Sequence, residues 1–230
     1  MKDTTYQPQT INEVVFGNDD SRLLIEDIVS GVLPFPFGGK TAILLYGAHG
    51  TGKTTLARIL PEAIELGQTG EALSIDADFF GCQQGHSGTV IADTLKKQNK
   101  VMSFNASGKH YYIFDEVDNL SKTAQASLKT PLNSQRGTFI LTTNNISKLD
   151  KGVKDRCVLI EMNAATDIEF LPLARRIARN NNADLKDDQL LSAIAGRNGS
   201  FRDIIFNVLL MAIRSGRKSK LPYQFNITTI

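Results

Sequence analysis

Gly47-Ala48-His49-Gly50-Thr51-Gly52-Lys53-Thr54 constrains this chain more than any other segment. It fits G-x-x-x-x-G-K-[ST] at every required position. Apolar Ala42-Ile43-Leu44-Leu45-Tyr46 precedes it and reads as a buried strand; Thr55-Leu56-Ala57-Arg58-Ile59-Leu60 follows and reads as a helix. That order describes a phosphate-binding loop. Glycines let backbone N–H groups turn inward around phosphate oxygens, and the helix N-terminus adds positive potential. Gly47, Ala48, His49, Gly50, Thr51, Gly52, Lys53, Thr54 and Thr55 are therefore the expected nucleotide-binding set. In it Lys53 offers a cation to the β- and γ-phosphates, and the Thr54 hydroxyl reaches a magnesium ion.

The chain has 230 residues, enough for one large domain or two small ones. Apolar residues make up 41% and charged residues 22%, the balance of a soluble globular protein. A net charge of only +2 excludes a chain that binds polyanions over its whole surface, so any nucleic-acid contact must be a local patch. The two cysteines, Cys82 and Cys157, lie far apart and form no metal-ligand pattern. With no signal peptide, a reducing, cytoplasmic location is expected. No apolar run approaches the roughly 18 residues of a membrane span.

Strand-like runs at 41–46, 72–77, 110–115, 137–143 and 158–162 alternate with helical ones at 18–30, 53–66, 87–99 and 121–130. Such alternation predicts an α/β fold with a parallel five-stranded sheet flanked by helices. After Met162 only helical periodicity remains, over 167–182, 187–196 and 200–215. The expected organisation is an α/β domain over 1–163, a small helical domain over 164–216 and a polar tail over 217–230.

His110-Tyr111-Tyr112-Ile113-Phe114-Asp115-Glu116 is an apolar strand ending in two carboxylates, about 60 residues after the phosphate loop. Asp115 is placed to hold magnesium, directly or through water. Glu116 is placed to orient and deprotonate a water attacking a γ-phosphate. Strand 137–143 ends in Thr142-Thr143-Asn144-Asn145, where Asn144 either reaches the γ-phosphate and the attacking water or simply forms an Asx-turn. Arg156 reads either as a surface ion pair or as a charge presented to a neighbouring subunit's nucleotide. Arg202 either folds back onto the phosphates or decorates its helix.

Taken together, these segments resemble the AAA+ ATPase family, and within it the clamp-loader clade, over roughly residues 5–215. Tyr6-Gln7-Pro8-Gln9-Thr10-Ile11-Asn12-Glu13-Val14-Val15-Phe16-Gly17-Asn18 is similar to the clade's Y-R-P-x-T-L-x-E-V-V-G-[QN], with Gln7 in place of Arg and Phe16 inserted before the glycine. The resemblance implies that this segment, including Tyr6, Pro8, Val15 and Gly17, packs around adenine. Asp115 to Leu128 resembles D-E-A-D-x-L-T-x-x-A-Q-x-A-L, and Asn144 matches the sensor-1 position. Asp155-Arg156-Cys157 resembles S-R-C, which makes Arg156 a trans-acting arginine finger. Gly199-Ser200-Phe201-Arg202 resembles G-D-[ML]-R, which makes Arg202 the sensor-2 arginine of a helical lid. The implied cofactors are ATP and Mg2+. Clamp-loader subunits usually carry a further helical collar domain, and this chain ends near where one would begin. The zinc-binding cysteine cluster of the bacterial members is absent. Assembly into a homo-oligomer or an AAA+ hetero-oligomer is therefore expected to rest on the ATPase modules, or on ATP bound between them.

Lys96, Lys97, Lys100, Lys109, Lys122 and Lys129, with Arg136 beyond, form a candidate patch for sequence-nonspecific DNA binding; the alternative is a solvated helix face. Two functions compete. One is an ATP-driven machine acting on DNA or on a replication protein, such as a clamp or helicase loader. The other is an ATP-gated assembly protein that forms rings or filaments and recruits partners, as in transposition or defence.

Overall fold

In the computed structural model, residues 6–71, 75, 77–85, 88, 95, 102–134 and 136–218 are described. Five strands, β1 (Ala42–Tyr46), β2 (Ala77–Gly81), β3 (His110–Asp115), β4 (Gly137–Thr143) and β5 (Cys157–Glu161), form one sheet in the order β2-β3-β4-β1-β5. Every pairing is parallel. Parallel strands need crossover connections, and these cover both faces of the sheet. That is why β1 and β4 read as continuous apolar runs rather than alternating ones. Successive side chains still point to opposite faces. Ala42, Leu44, Tyr112, Phe114, Phe139 and Leu141 enter one core cluster, with Leu120, Ala124 and Val153. Ile43, Leu45, Tyr111, Ile113 and Ile140 enter the other, against helices α1 (Asp19–Ser30) and α2 (Lys53–Thr69). Phe16, the extra residue of the N-terminal segment, is buried in this second cluster.

Local chemistry explains the helix ends. The Asn18 side chain caps α1 by accepting from the N–H groups of Asp20 at 2.9 Å and Ser21 at 3.3 Å. Gly31 and Gly70 end α1 and α2 in the left-handed region. The expected 121–130 helix is shorter, Lys122–Ser127, because its last turns tighten into i→i+3 bonds that continue into a 3-10 turn at Pro131–Asn133. Of the expected strand at 72–77, residues 72–74 and 76 lie outside the described ones, and Ala77 begins β2. The edge strand lies further on because Phe80 stacks on Phe114, with ring centroids 4.8 Å apart, and Phe79 carries the Arg58 guanidinium 3.7 Å over its ring. Most of the expected 87–99 helix lies outside the described residues.

Gln7–Ala164 forms one compact unit; the residues from Ala165 onward, together with Tyr6, form the other. In the second unit a 3-10 turn (Asp167–Phe170) leads into helices Leu171–Asn180, Asp187–Ile194 and Phe201–Lys218. They bury Ala174, Ile177, Leu190, Ile194, Ile204 and Val208, and Phe170 meets Phe201 edge to face at 5.1 Å. Arg217 and Lys218, expected in a polar tail, belong to the last helix. Residues 219–230 lie outside the described ones.

A buried carboxylate ties α2 to the approach to β3. Glu65 is fully buried and accepts from the Ser107 N–H at 3.0 Å, from the Ser107 hydroxyl, and from the Tyr111 hydroxyl at 2.8 Å. Burial, reinforced by the Glu65 carboxylate, pushes the Tyr111 phenol well above its ordinary pKa. Tyr111→Phe keeps the shape and removes one donor from a buried charge, so it is expected to lower unfolding free energy by about 1–3 kcal/mol. Chemical denaturation checks this.

Candidate functional site

The phosphate loop is the turn from β1 into α2. Gly47 opens it at φ 146°, and a Cβ there would overlap the carbonyl of Met162, which follows β5. The loop therefore presses against the neighbouring strand end, where the Met162 N–H donates to the Tyr46 carbonyl at 2.7 Å. Gly52 stands at the N-cap of α2 in the left-handed conformation, with no side-chain cap. A side-chain cap would compete for the first N–H groups of α2; without one they suit an anion. The Thr51 hydroxyl donates to the Ala48 carbonyl at 3.0 Å and braces the turn. Ala48 and His49 are exposed, and Gly50 and Thr55 half-buried.

Lys53, only 6% exposed, donates from Nζ to the carbonyls of Gly47, at 3.0 Å, and Ala48. Burial lowers its pKa, while Asp115, Asp118 and Glu116 oppose that shift. Thr54 donates from its hydroxyl to Asp115 Oδ1 at 2.7 Å. A magnesium-type site needs such an arrangement of one hydroxyl and one carboxylate beside phosphate oxygens. Among the described residues no group of three or more His, Cys, Asp or Glu could hold a metal ion by itself. The donor set therefore fits an ion that completes its shell with phosphate and water.

Glu116 leaves β3 in the left-handed region, φ 58°, and is exposed. Its Oε2 accepts from Asn119 Nδ2 at 3.1 Å, and Asn119 Nδ2 also donates to the Cys82 carbonyl at 3.3 Å. Asn144 follows β4, whose last residue Thr143 pairs with Tyr46, so Asn144 stands beside the start of the loop. Its N–H donates to Asp118 Oδ1 at 3.4 Å. Sequence reasoning passed over Thr142, Asn119 and Asp118. The signal for Thr142 is a hydroxyl at the C-terminal end of an otherwise apolar central strand.

Arg156 lies elsewhere. It precedes Cys157, which pairs with Ala42 at the start of β1, whereas the loop follows Tyr46 at the end of that strand. At about 3.3 Å per residue the strand separates them by roughly 16 Å. Arg156 donates from Nε to Asn133 Oδ1 and from Nη1 to the Gly152 carbonyl, both at 2.7 Å.

The remaining expected residues are divided between the two units. Pro8 is buried, Val15 half-buried and Gly17 exposed in the sheet unit. Tyr6 belongs to the helical unit, where its hydroxyl accepts from Asn181 Nδ2 at 2.9 Å. Arg202 is exposed in the first turn of the last helix. Two of the expected lysines have partners in their own chain: Lys109 donates to the Phe35 carbonyl at 3.3 Å, and Lys129 pairs with Asp150 at 2.9 Å, both half-buried. Lys122 is exposed, and Lys96, Lys97 and Lys100 lie outside the described residues. Cys82 and Cys157 are free, buried thiols, each pushed up to about 12 by burial.

Residues 43–163, just over half the chain, match the family described as "ATPase family associated with various cellular activities (AAA)". The chain belongs to that family. It is 28% identical over 209 residues to replication factor C small subunit 2 of Pyrobaculum islandicum, covering 90% of this chain and 62% of that protein. It is 27% identical over 224 residues to replication factor C large subunit of Methanosarcina mazei, covering 93% of this chain and 33% of that one. This AAA+ chain therefore spans about three fifths of the small subunit and one third of the large one. These similarities agree with the clamp-loader resemblance read from the motifs. A solved structure of Thermotoga maritima RuvB, a Holliday junction branch migration motor, shares the fold with a TM-score of 0.63 at 17% identity, covering 91% of this chain and 64% of that one. No helix among the described residues is long and apolar enough to cross a membrane.

Mg2+-ATP at about 100 times its dissociation constant should stabilise the chain by about 2.7 kcal/mol. Each kcal/mol corresponds to about 2–4 °C in Tm for a domain of this size. Lys53→Ala should lose that thermal shift, measured by differential scanning fluorimetry.

Proposed function

We propose that this chain is an ATP-hydrolysing AAA+ module of the clamp-loader type, acting as an oligomer on DNA or on DNA-replication proteins. The observation that carries the reading is the meeting of Thr54 and Asp115 at the mouth of the phosphate loop, with Glu116 next in the chain. In it, Gly47 to Thr55 cradle the phosphates, and Lys53 supplies the cation. Thr54 and Asp115 hold Mg2+. Tyr6, Pro8, Val15, Gly17 and Arg202 contribute to nucleotide binding. Bound Mg2+-ATP supplies the electrophilic phosphoryl group and neutralises its charge. Glu116 orients a water and takes its proton, and Asn144 helps to position that water.

Arg156 is the reason for the oligomer. Because it stands at the far end of β1 from its own loop, its guanidinium is suited to a neighbour's nucleotide. The similarity to proteins named replication factor C subunits supports DNA replication as the setting. Lys122, with Lys96, Lys97 and Lys100, remains the proposed contact to DNA phosphates. A second reading, the ATP-gated assembly protein, is favoured by Lys109 and Lys129, whose ammonium groups are held by partners in their own chain.

Glu116→Gln is expected to keep ATP binding and lose turnover. Wild-type turnover in Glu116→Gln would remove the catalytic assignment. Arg156→Ala should bind ATP yet hydrolyse it about 10³–10⁵ times more slowly, as trans-acting arginines do elsewhere. Mixing Arg156→Ala with Lys53→Ala, each inactive alone, should restore part of the activity. A mixture that forms mixed oligomers and stays inactive would show that Arg156 does not act in trans.

A further inference from the structure

One hydroxyl ties the two carboxyl residues at the end of β3 together. Thr142 lies in β4, 1% exposed, after buried Phe139, Ile140 and Leu141. Its Oγ1 donates to Asp115 Oδ1 at 2.6 Å and accepts from the Glu116 N–H at 2.9 Å. Thr54 donates to the same Asp115 oxygen. The β3–β4 ladder runs as far as Phe114 opposite Leu141. Where the backbone then turns left-handed at Glu116, the Thr142 side chain takes up the N–H that leaves the sheet. A non-glycine residue in that region is strained and persists only where its surroundings over-determine it.

We infer that Thr142 is a positioning residue for ATP hydrolysis: its single hydroxyl sets the metal-side carboxylate of Asp115 and the water-side turn of Glu116 in one fixed relation. This rests on the roles proposed above for Asp115 and Glu116. A hydroxyl in β4 is not enough to earn that role. Thr138, in the same strand and also fully buried, has a hydroxyl with no hydrogen-bond partner. Thr143 uses its own to accept from the Asn145 N–H in the following turn. Only at Thr142 does the hydroxyl join two residues of the site. Replacing it with a methyl group leaves Asp115 with one donor fewer and Glu116 free to leave its turn. The consequence is a weaker metal site and a slower chemical step, with the phosphate loop itself intact.

The test compares Thr142→Val, Thr142→Ala and Thr142→Ser with Thr138→Val in the full chain. It measures steady-state hydrolysis against Mg2+ concentration, binding of a fluorescent ATP analogue with Mg2+ and with EDTA, and thermal melting. Residues that orient metal ligands are worth about 10–100-fold in metal affinity or activity. Thr142→Val should therefore lower kcat and raise half-saturating Mg2+ by factors in that range. Its analogue affinity in EDTA should stay within about twofold of wild type, because the loop that holds the phosphates is untouched. Thr142→Ser should restore both, and Thr138→Val should match wild type throughout. Thr142→Ala takes the place of Thr142→Val if the valine variant does not melt cooperatively. Wild-type kcat and Mg2+ dependence in a folded hydroxyl-free variant would overturn the inference, as would a serine variant as impaired as valine. If the wild-type chain binds Mg2+-ATP without hydrolysing it, the ATPase reading falls. The Mg2+ dependence of binding then still decides Thr142, and no change in the valine variant overturns it.

Discussion

Asp115 Oδ1 accepts two hydroxyl protons at once, from Thr54 in the first turn of α2 and from Thr142 at the end of β4. These contacts bind the N-terminus of one helix to the ends of two adjacent strands. Both donors are neutral hydroxyls, and the desolvation of buried Lys53 nearby is opposed by Asp115, Asp118 and Glu116, which favour its ammonium form. Without this junction the phosphate loop would be a glycine turn with no fixed relation to the acids that complete its chemistry.

The sheet supplies the precision. In the order β2-β3-β4-β1-β5 the two neighbours of the loop strand, β4 and the edge strand β5, end at Thr143 and Glu161, level with Tyr46. The residues that follow those ends, Asn144 and Met162, therefore stand beside the loop, where ligand sites form in open parallel sheets. The same register sends Arg156 to the opposite end of the sheet. One chain thus carries the phosphate loop at one end of its sheet and Arg156 at the other. Glu65 acts on the same framework from beneath, holding Ser107 and Tyr111 to α2, so that the strand bearing Asp115 and the helix bearing Thr54 share a buried polar tie.

How much was legible in the residues themselves differs from element to element. The strand at 110–115 and the strand at 137–143 were readable to the residue, because both are continuous apolar runs with sharp polar ends. The turn from β1 into α2 was readable because a phosphate loop demands particular residue types at particular spacings. At the edge, β2 extends past Ala77, the last residue of the expected 72–77 run, to Gly81. At an edge only part of each face is covered, so Ala77–Gly81 lacks the apolar density that marks a central strand, and pairing with β3 decides its position.

The sequence by itself determined a phosphate-loop α/β chain with an acidic strand end and a helical second part, since periodicity and motif spacing are local properties. Only the tertiary structure decided which hydroxyl meets which carboxylate. Thr142 lies 27 residues from Asp115 and Thr54 lies 61, and no local pattern brings them to one oxygen. The same holds for the lysines. Lys109 and Lys129 read as a basic patch along the chain, yet Phe35 and Asp150 hold them in place. A charge's role depends on what the fold sets within hydrogen-bonding distance of it, and that separation is not written in its neighbours.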